Sequence, residues 1–164
     1  MLRRLRLNMM TKLSCEVLYA LAGRTLATAE SCTGGGIGAA LTAIPGSSQV
    51  YKGGIISYTN EVKIHLLGVD PELLEKEGAV CADVAKQMAI GARNRLSSDI
   101  AVSVTGLAGP GGDEFGNPVG TVFIGYADGY DAVAYKYVFQ GDREDVRNQT
   151  IHAAFQLILD QLAL

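Results

Sequence analysis

The feature that most constrains the fold of this chain is a glycine-rich segment at residues 28–36, which reads Thr-Ala-Glu-Ser-Cys-Thr-Gly-Gly-Gly. The apolar run before it, residues 25–29, predicts a buried strand, and residues 37–44 predict a helix that Pro45 ends. Ser31 therefore lies where a strand passes into a helix. Unpaired backbone N–H groups at such a position favour negative charge.

The segment alone leaves two interpretations of its hydroxyl groups open. In the first, Ser31 attacks a carbonyl carbon while the neighbouring N–H groups hold the oxyanion, and the glycines let a substrate approach the backbone closely. In the second, Ser31 or Thr33 merely caps the helix. A side chain elsewhere in the sequence that could act as a base for Ser31 would favour the first interpretation.

Length and charge restrict the class of protein. The chain has 164 residues, 48% of them hydrophobic, which suits one domain with a sizeable core. Its net charge is −3 and it contains no long run of like charge, so we expect neither a nucleic-acid partner nor a membrane surface. Residues 1–10 lack an apolar core of signal-peptide length, and we expect them to be a disordered extension of a single domain over residues 11–164.

The cysteine and histidine content argues against a disulfide scaffold and against a metal site. Cys15, Cys32 and Cys81 are widely spaced and odd in number, no Cys-x-x-Cys pair occurs, and only two histidines are present. We therefore expect a reducing, cytoplasmic compartment, no metal and no cofactor.

Helical patterns separate three apolar runs, and a hairpin and a last helix follow. This order predicts an α/β fold with three layers, α/β/α, around a mixed, mostly parallel five-stranded sheet that carries one antiparallel strand. The predicted strands lie near residues 25–29, 50–58, 100–104, 119–127 and 132–139. Helix starts are predicted at Thr11, Asn60, Asp70, Cys81 or Ala82, and Asp142.

Loops that follow parallel strands gather at one edge of a sheet, where ligands bind. Here these loops offer Ser31, Cys32, Thr33, Tyr58, Lys63 and Thr105. A serine nucleophile needs a base, and neither histidine is well placed. If Asn60 caps its helix, Lys63 falls in the first turn, where the helix dipole and burial would lower the pKa of its amine. Lys63 is then a base for Ser31, although spacing alone favours a solvated surface lysine.

Three further features have alternative explanations. Thr105, Gly106 and the following glycines form either an anion-binding nest or a flexible surface loop. Arg143 and Arg147 share one helix face, where they either bind phosphate or pair with neighbouring carboxylates. Glu30 either orients the site or forms a buried ion pair.

Several long motifs occur in an order that resembles the C-terminal domain family of the competence/damage-inducible protein CinA. The resemblance runs from about residue 11 to the end of the chain. It is carried by residues 28–35, 45–48, 53–54, 58–63, 67–69, 78–80, 104–112, 118–122 and 141–143. Two features depart from the family pattern: Cys81 stands where serine is usual, and residues 113–117 match no motif of the family. The N-terminal domain of full-length CinA proteins is expected to be absent, so its functions are not carried over.

The resemblance implies an amidohydrolase that converts nicotinamide mononucleotide to nicotinate mononucleotide and ammonia. It implies Ser31 as nucleophile, Lys63 as base, Tyr58 as a further catalytic residue and Thr105 within the site. It also implies a homodimer or a higher homo-oligomer. Together with the residue analysis, it gives a predicted substrate-binding set of Glu30, Cys32, Thr33, Gly34, Gly35, Thr105, Gly106 and Arg143. The alternative is a non-catalytic module of this family that binds pyridine nucleotides or a protein.

Overall fold

The computed structural model describes residues 2–164, with side chains from residue 8 onward. Helices separate the first three strands from one another, and a further strand pair and a long helix follow. Within it lie six α-helices and five strands: α1 Leu2–Ala20, β1 Leu26–Glu30, α2 Gly36–Thr42, β2 Tyr51–Ile56, α3 Asn60–Leu67, α4 Pro71–Glu77, α5 Ala82–Leu96, β3 Ile100–Gly106, β4 Thr121–Ala127, β5 Ala132–Val138 and α6 Arg143–Leu162.

The five strands form one mixed sheet in the order β2-β1-β3-β4-β5. Strand β1 pairs in parallel with β2 and with β3, because helices carry the chain back between them. Strand β4 runs antiparallel to both β3 and β5, and a tight turn at Asp128 joins it to β5. The predicted mixed sheet with one antiparallel strand is therefore confirmed.

Alternating side chains place a hydrophobic core on each face of the sheet. Leu26 of β1 belongs to the larger core, which α1, α2 and α6 cover with residues such as Val17 and Phe155. Ala27 and Ala29 point to the opposite face and pack against α3, α4 and α5. The protein thus has the predicted three layers, and β1 is an interior strand between β2 and β3, buried on both faces.

Most predicted helix boundaries are confirmed, and two caps are wrong. Asp70 and Asp142 cap α4 and α6 with their side chains, as their residue types indicated. Thr11 lies inside α1, which begins at Leu2. The cap of α3 is Thr59 rather than Asn60, and the Thr59 hydroxyl accepts from Val62 N at 3.4 Å. Threonine and asparagine are both good caps, so the sequence did not distinguish these two adjacent residues.

The predicted N-terminal extension at residues 1–10 falls partly outside the described residues, since Met1 and the side chains of residues 2–7 are not described. None of the helices in the described part of the chain has the length and apolar character that crossing a bilayer requires.

Candidate active site

The carboxyl ends of β1, β2 and β3 bring three loops together. Glu30, the last residue of β1, pairs with Ile56 of β2 and with Val104 of β3. The next residues continue this register: Ser31 N donates to Val104 O at 3.1 Å, and Ser57 N donates to Glu30 O at 2.9 Å. The first residue of the glycine-rich loop is therefore held between the two neighbouring strand ends.

Lys63 of α3 reaches this point from the helix layer. Its Nζ lies 3.2 Å from Ser31 Oγ and donates a hydrogen bond of 2.7 Å to Ser57 O. The Lys63 side chain is 1% exposed and Ser31 is 7% exposed. The predicted pairing of these two residues is thus present as a buried contact, and the surface alternative for Lys63 is wrong.

Burial lowers the pKa of the Lys63 amine from its usual 10.5 to about 8, while the nearby Cys32 thiol acts weakly in the opposite direction. Among the described residues, no carboxylate lies within ion-pair distance of Lys63. Because Thr59 is the cap, Lys63 lies beyond the first three positions of α3, and burial rather than the helix dipole is the cause. A neutral amine at this place can accept the proton of the Ser31 hydroxyl.

Cys32 is the other nucleophile of the loop, and its surroundings make it a poor one. The residue is 5% exposed and packs in the larger core. Burial raises the pKa of its thiol to about 11, so the thiolate is scarce near neutral pH. Of these two adjacent side chains, Ser31 is the one in contact with the Lys63 amine.

The loop after Ser31 leaves some backbone donors unused. Gly34 N donates to Ser31 O at 3.1 Å, and Gly36 N donates to Thr33 O at 3.0 Å. Within the described residues, the N–H groups of Cys32, Thr33 and Gly35 donate to no backbone or side-chain oxygen. These three groups therefore have no protein oxygen as a partner among the described residues, whereas the Gly34 N–H is already used.

The two arginines on α6 have different contacts, which the sequence could not distinguish. Arg143 is exposed, and it donates to Gly109 O at 2.7 Å and to the Tyr58 hydroxyl at 3.1 Å. Arg147 is partly buried, and it donates to the carbonyl oxygens of Cys32 and Thr33 at 3.0 and 3.1 Å. Arg147 therefore fixes the nucleophile loop, whereas Arg143 joins two loops at the surface. The described residues form no ion pair with either arginine.

The remaining predicted site residues differ in accessibility. Tyr58 is 59% exposed beside Arg143, so a ligand can reach its ring. Thr105 is 1% exposed, and its hydroxyl donates to Ala79 O at 2.8 Å. Gly106 packs closely against β4, since a Cβ there would lie 2.6 Å from Val122. The Thr105 hydroxyl is thus used in a hydrogen bond to the protein, and Gly106 has no free space beside its Cα. Both residues shape the end of β3.

Residues 113–117 of the loop between β3 and β4, which matched no family motif, are held on the neighbouring loop before α5. Asp113 accepts from the amides of Phe115 and Asn117, and the Asn117 side chain donates to Val80 O at 3.2 Å. Sequence reasoning also missed Ser57, whose carbonyl oxygen anchors Lys63. The only available signal was its position, near the end of the predicted strand and six residues before Lys63.

Fold and site together define an α/β/α protein with a buried serine–lysine pair at the carboxyl edge of its parallel strands. The model of the CinA C-terminal domain matches residues 10–162. The chain therefore belongs to the CinA C-terminal domain family.

Relatives and solved structures agree with this assignment. The chain is 51% identical over 142 residues to a CinA-like protein of Thermosynechococcus vestitus, covering 85% of this chain and 34% of that protein. It is 50% identical over 135 residues to a CinA-like protein of a Sulfurihydrogenibium species, covering 82% and 34%. It thus spans about a third of the length of the curated relatives it matches.

Two crystal structures share the fold over nearly the whole chain. The competence damage-inducible protein A of Klebsiella pneumoniae matches with a TM-score of 0.92 and 35% identity, covering 94% of this chain and 97% of that one. The competence/damage inducible protein of Agrobacterium tumefaciens matches with a TM-score of 0.89 and 37% identity, covering 94% and 96%.

Proposed function

We propose that this protein is an amidohydrolase that converts nicotinamide mononucleotide to nicotinate mononucleotide and ammonia. The observation that carries the proposal is the buried Lys63 amine, with a pKa of about 8, placed 3.2 Å from the Ser31 hydroxyl. Hydrolysis of a carboxamide needs a nucleophile, a base that later acts as an acid, and donors for the oxyanion. The residues around Ser31 offer all three.

In the proposed acylation step, one proton passes from Ser31 to Lys63 and then to the carboxamide nitrogen. Neutral Lys63 accepts the Ser31 proton while the Ser31 oxygen bonds to the carboxamide carbon, and the N–H groups of Cys32, Thr33 and Gly35 stabilise the oxyanion. Protonated Lys63 then donates that proton to the nitrogen, the C–N bond breaks, and ammonia leaves. An ester between Ser31 and the nicotinoyl group remains.

Water completes the reaction through the same groups. Lys63 accepts a proton from water while the water oxygen bonds to the ester carbon. Protonated Lys63 then donates that proton to Ser31 Oγ, the bond between Oγ and the carbonyl carbon breaks, and nicotinate mononucleotide leaves. Arg143, beside the exposed Tyr58, is the group we assign to the substrate phosphate. We further propose, from the cysteine content, that the protein acts in the cytoplasm and, from the family resemblance, that it forms a homodimer or a higher homo-oligomer.

Ammonia release from nicotinamide mononucleotide tests the proposal. We expect the parent protein to form nicotinate mononucleotide and ammonia in equal amounts, and Ser31→Ala to be at least about 1,000-fold slower. Ser48→Ala, at an exposed serine in the turn after α2, is the matched control and should match the parent.

The same assay separates the two candidate functions. Measurable binding of nicotinamide mononucleotide without any ammonia, at high protein concentration, would contradict the enzyme and support a binding module. Loss of activity in Cys32→Ala with activity retained in Ser31→Ala would contradict the assignment of the nucleophile.

A further inference from the structure

The carboxylate of Glu30 is buried in contact with the loop that follows it. Glu30 is 2% exposed. Its Oε1 accepts from the Thr33 hydroxyl at 2.6 Å and from Ile37 N at 2.8 Å. Its Oε2 accepts from Gly38 N at 3.1 Å and from the Thr28 hydroxyl at 3.4 Å. Both oxygens are therefore satisfied by the protein itself.

The negative charge of Glu30 has no cationic partner among the described residues. The donors that surround it are hydroxyl groups and the first backbone N–H groups of α2. Backbone N–H groups at a helix start carry partial positive charge and stabilise a nearby anion. The Glu30 carboxylate thus accepts the hydrogen bonds of backbone N–H groups in the first turn of α2 that have no partner within the helix.

These contacts hold the residues after Ser31 against the residue before it. Ser31 follows Glu30 directly, and the chain returns to the Glu30 carboxylate through Thr33 and Ile37. Arg147 holds the same loop from α6 through the carbonyl oxygens of Cys32 and Thr33. A loop fixed at both sides keeps a short side chain such as serine within reach of a buried base.

We propose that Glu30 is a positioning residue, which holds the loop so that Ser31 Oγ stays beside Lys63 Nζ and which does not touch the substrate. This deepens the proposed amidohydrolase function and, for turnover, rests on it. It replaces the substrate-binding role predicted from the sequence with the other role considered there, that of orienting the site.

Glu30→Gln is the direct test, because glutamine keeps the shape but places an NH₂ group where N–H donors already point. We expect kcat for nicotinamide mononucleotide to fall at least 10-fold with KM within about twofold of the parent. Glu75→Gln removes one charge from the exposed face of α4 and should behave as the parent. A rise in KM with unchanged kcat would overturn the proposal and indicate a substrate contact.

A second measurement does not depend on the substrate. The rate at which a fluorophosphonate modifies Ser31, followed by intact mass, should fall at least 10-fold in Glu30→Gln at a temperature where circular dichroism shows both proteins folded. Equal rates would overturn the proposal. Slower modification in a protein whose parent releases no ammonia would keep Glu30 as a positioning residue and reject the proposed substrate.

Thr33→Val covers the case in which Glu30→Gln does not fold. It removes only the 2.6 Å hydrogen bond to Glu30 and keeps the side-chain volume. The fluorophosphonate rate should fall about threefold or more, and an unchanged rate would overturn the proposal.

Discussion

A lysine with 1% exposure is unusual, since lysine is almost never fully buried unless it is paired. Lys63 has a hydroxyl and a carbonyl oxygen as neighbours, and no carboxylate within ion-pair distance among the described residues. These neighbours do not compensate a full positive charge, so the pKa of the amine falls to about 8 and its neutral form is more abundant than in an exposed lysine. At the scale of the residue, the fold gives up stability at neutral pH to hold the Lys63 amine beside Ser31.

This cost predicts a pH dependence of stability. With a folded pKa of about 8 against the usual 10.5, the folded protein binds fewer protons at Lys63 than the unfolded chain between these values. The penalty is complete below about pH 8 and disappears as the pH rises to about 10.5. We expect the unfolding free energy of the parent, measured relative to Lys63→Met, to rise on the order of 3 kcal/mol over this range.

Urea denaturation at pH 7, 8, 9 and 10.5 measures this difference. Lys76→Met, at an exposed position on α4, is the control and should show no such trend relative to the parent. A difference between the parent and Lys63→Met that stays constant from pH 7 to pH 10.5 would show that Lys63 is not a desolvated amine.

At the scale of the elements, local chemistry explains which features could be predicted from the sequence. Asp70 and Asp142 were recognisable caps because a cap bonds to a backbone only two or three residues away. The contacts of Arg143 and Arg147 could not be distinguished, because they depend on partners 34 to 115 residues away. The motifs located Ser31 and Lys63, whereas the Glu30 contacts became visible only with the packing of α2.

The packing of α3 on α5 fixes the position of Lys63 and depends on Gly91. A Cβ at Gly91 would overlap the carbonyl oxygen of Leu67 and lie 2.8 Å from its carbonyl carbon. Alanine is the better helix former by about 1 kcal/mol, yet we expect Gly91→Ala to destabilise the protein by roughly 1–3 kcal/mol, because α3 has to move.

Thermal and urea denaturation measure this change. Asn94→Ala, at an exposed site on the same helix, is the control and should be neutral or slightly stabilising. Gly91→Ala with the stability of the parent or above would show that α3 and α5 are not tightly packed at this contact.

At the scale of the whole molecule, cationic groups collect at one edge of a chain with a net charge of −3. Arg143 and Arg147 lie around the carboxyl ends of the parallel strands, and of these two arginines Arg143 is the exposed one. On the proposed function, we expect this edge to attract the anionic phosphate of the substrate despite the overall charge.

We therefore expect nicotinamide riboside, which lacks the phosphate, to have a kcat/KM at least about 100-fold below that of nicotinamide mononucleotide. Arg143→Ala should lower kcat/KM for the nucleotide and leave that for the riboside within about twofold. Arg24→Ala, at an exposed site away from the edge, is the control. Equal specificity constants for the two compounds in the parent would contradict a phosphate site at Arg143.

The pH dependence of ammonia release from nicotinamide mononucleotide tests the central claim, that Lys63 is the base for Ser31. In the parent, kcat/KM should rise with pH through an apparent pKa of about 8, because only the neutral amine accepts the Ser31 proton. Lys63→Arg should be inactive from pH 6 to pH 10, because a guanidinium stays protonated throughout. Substantial activity of Lys63→Arg, with the same rise as the parent, would contradict the serine–lysine mechanism.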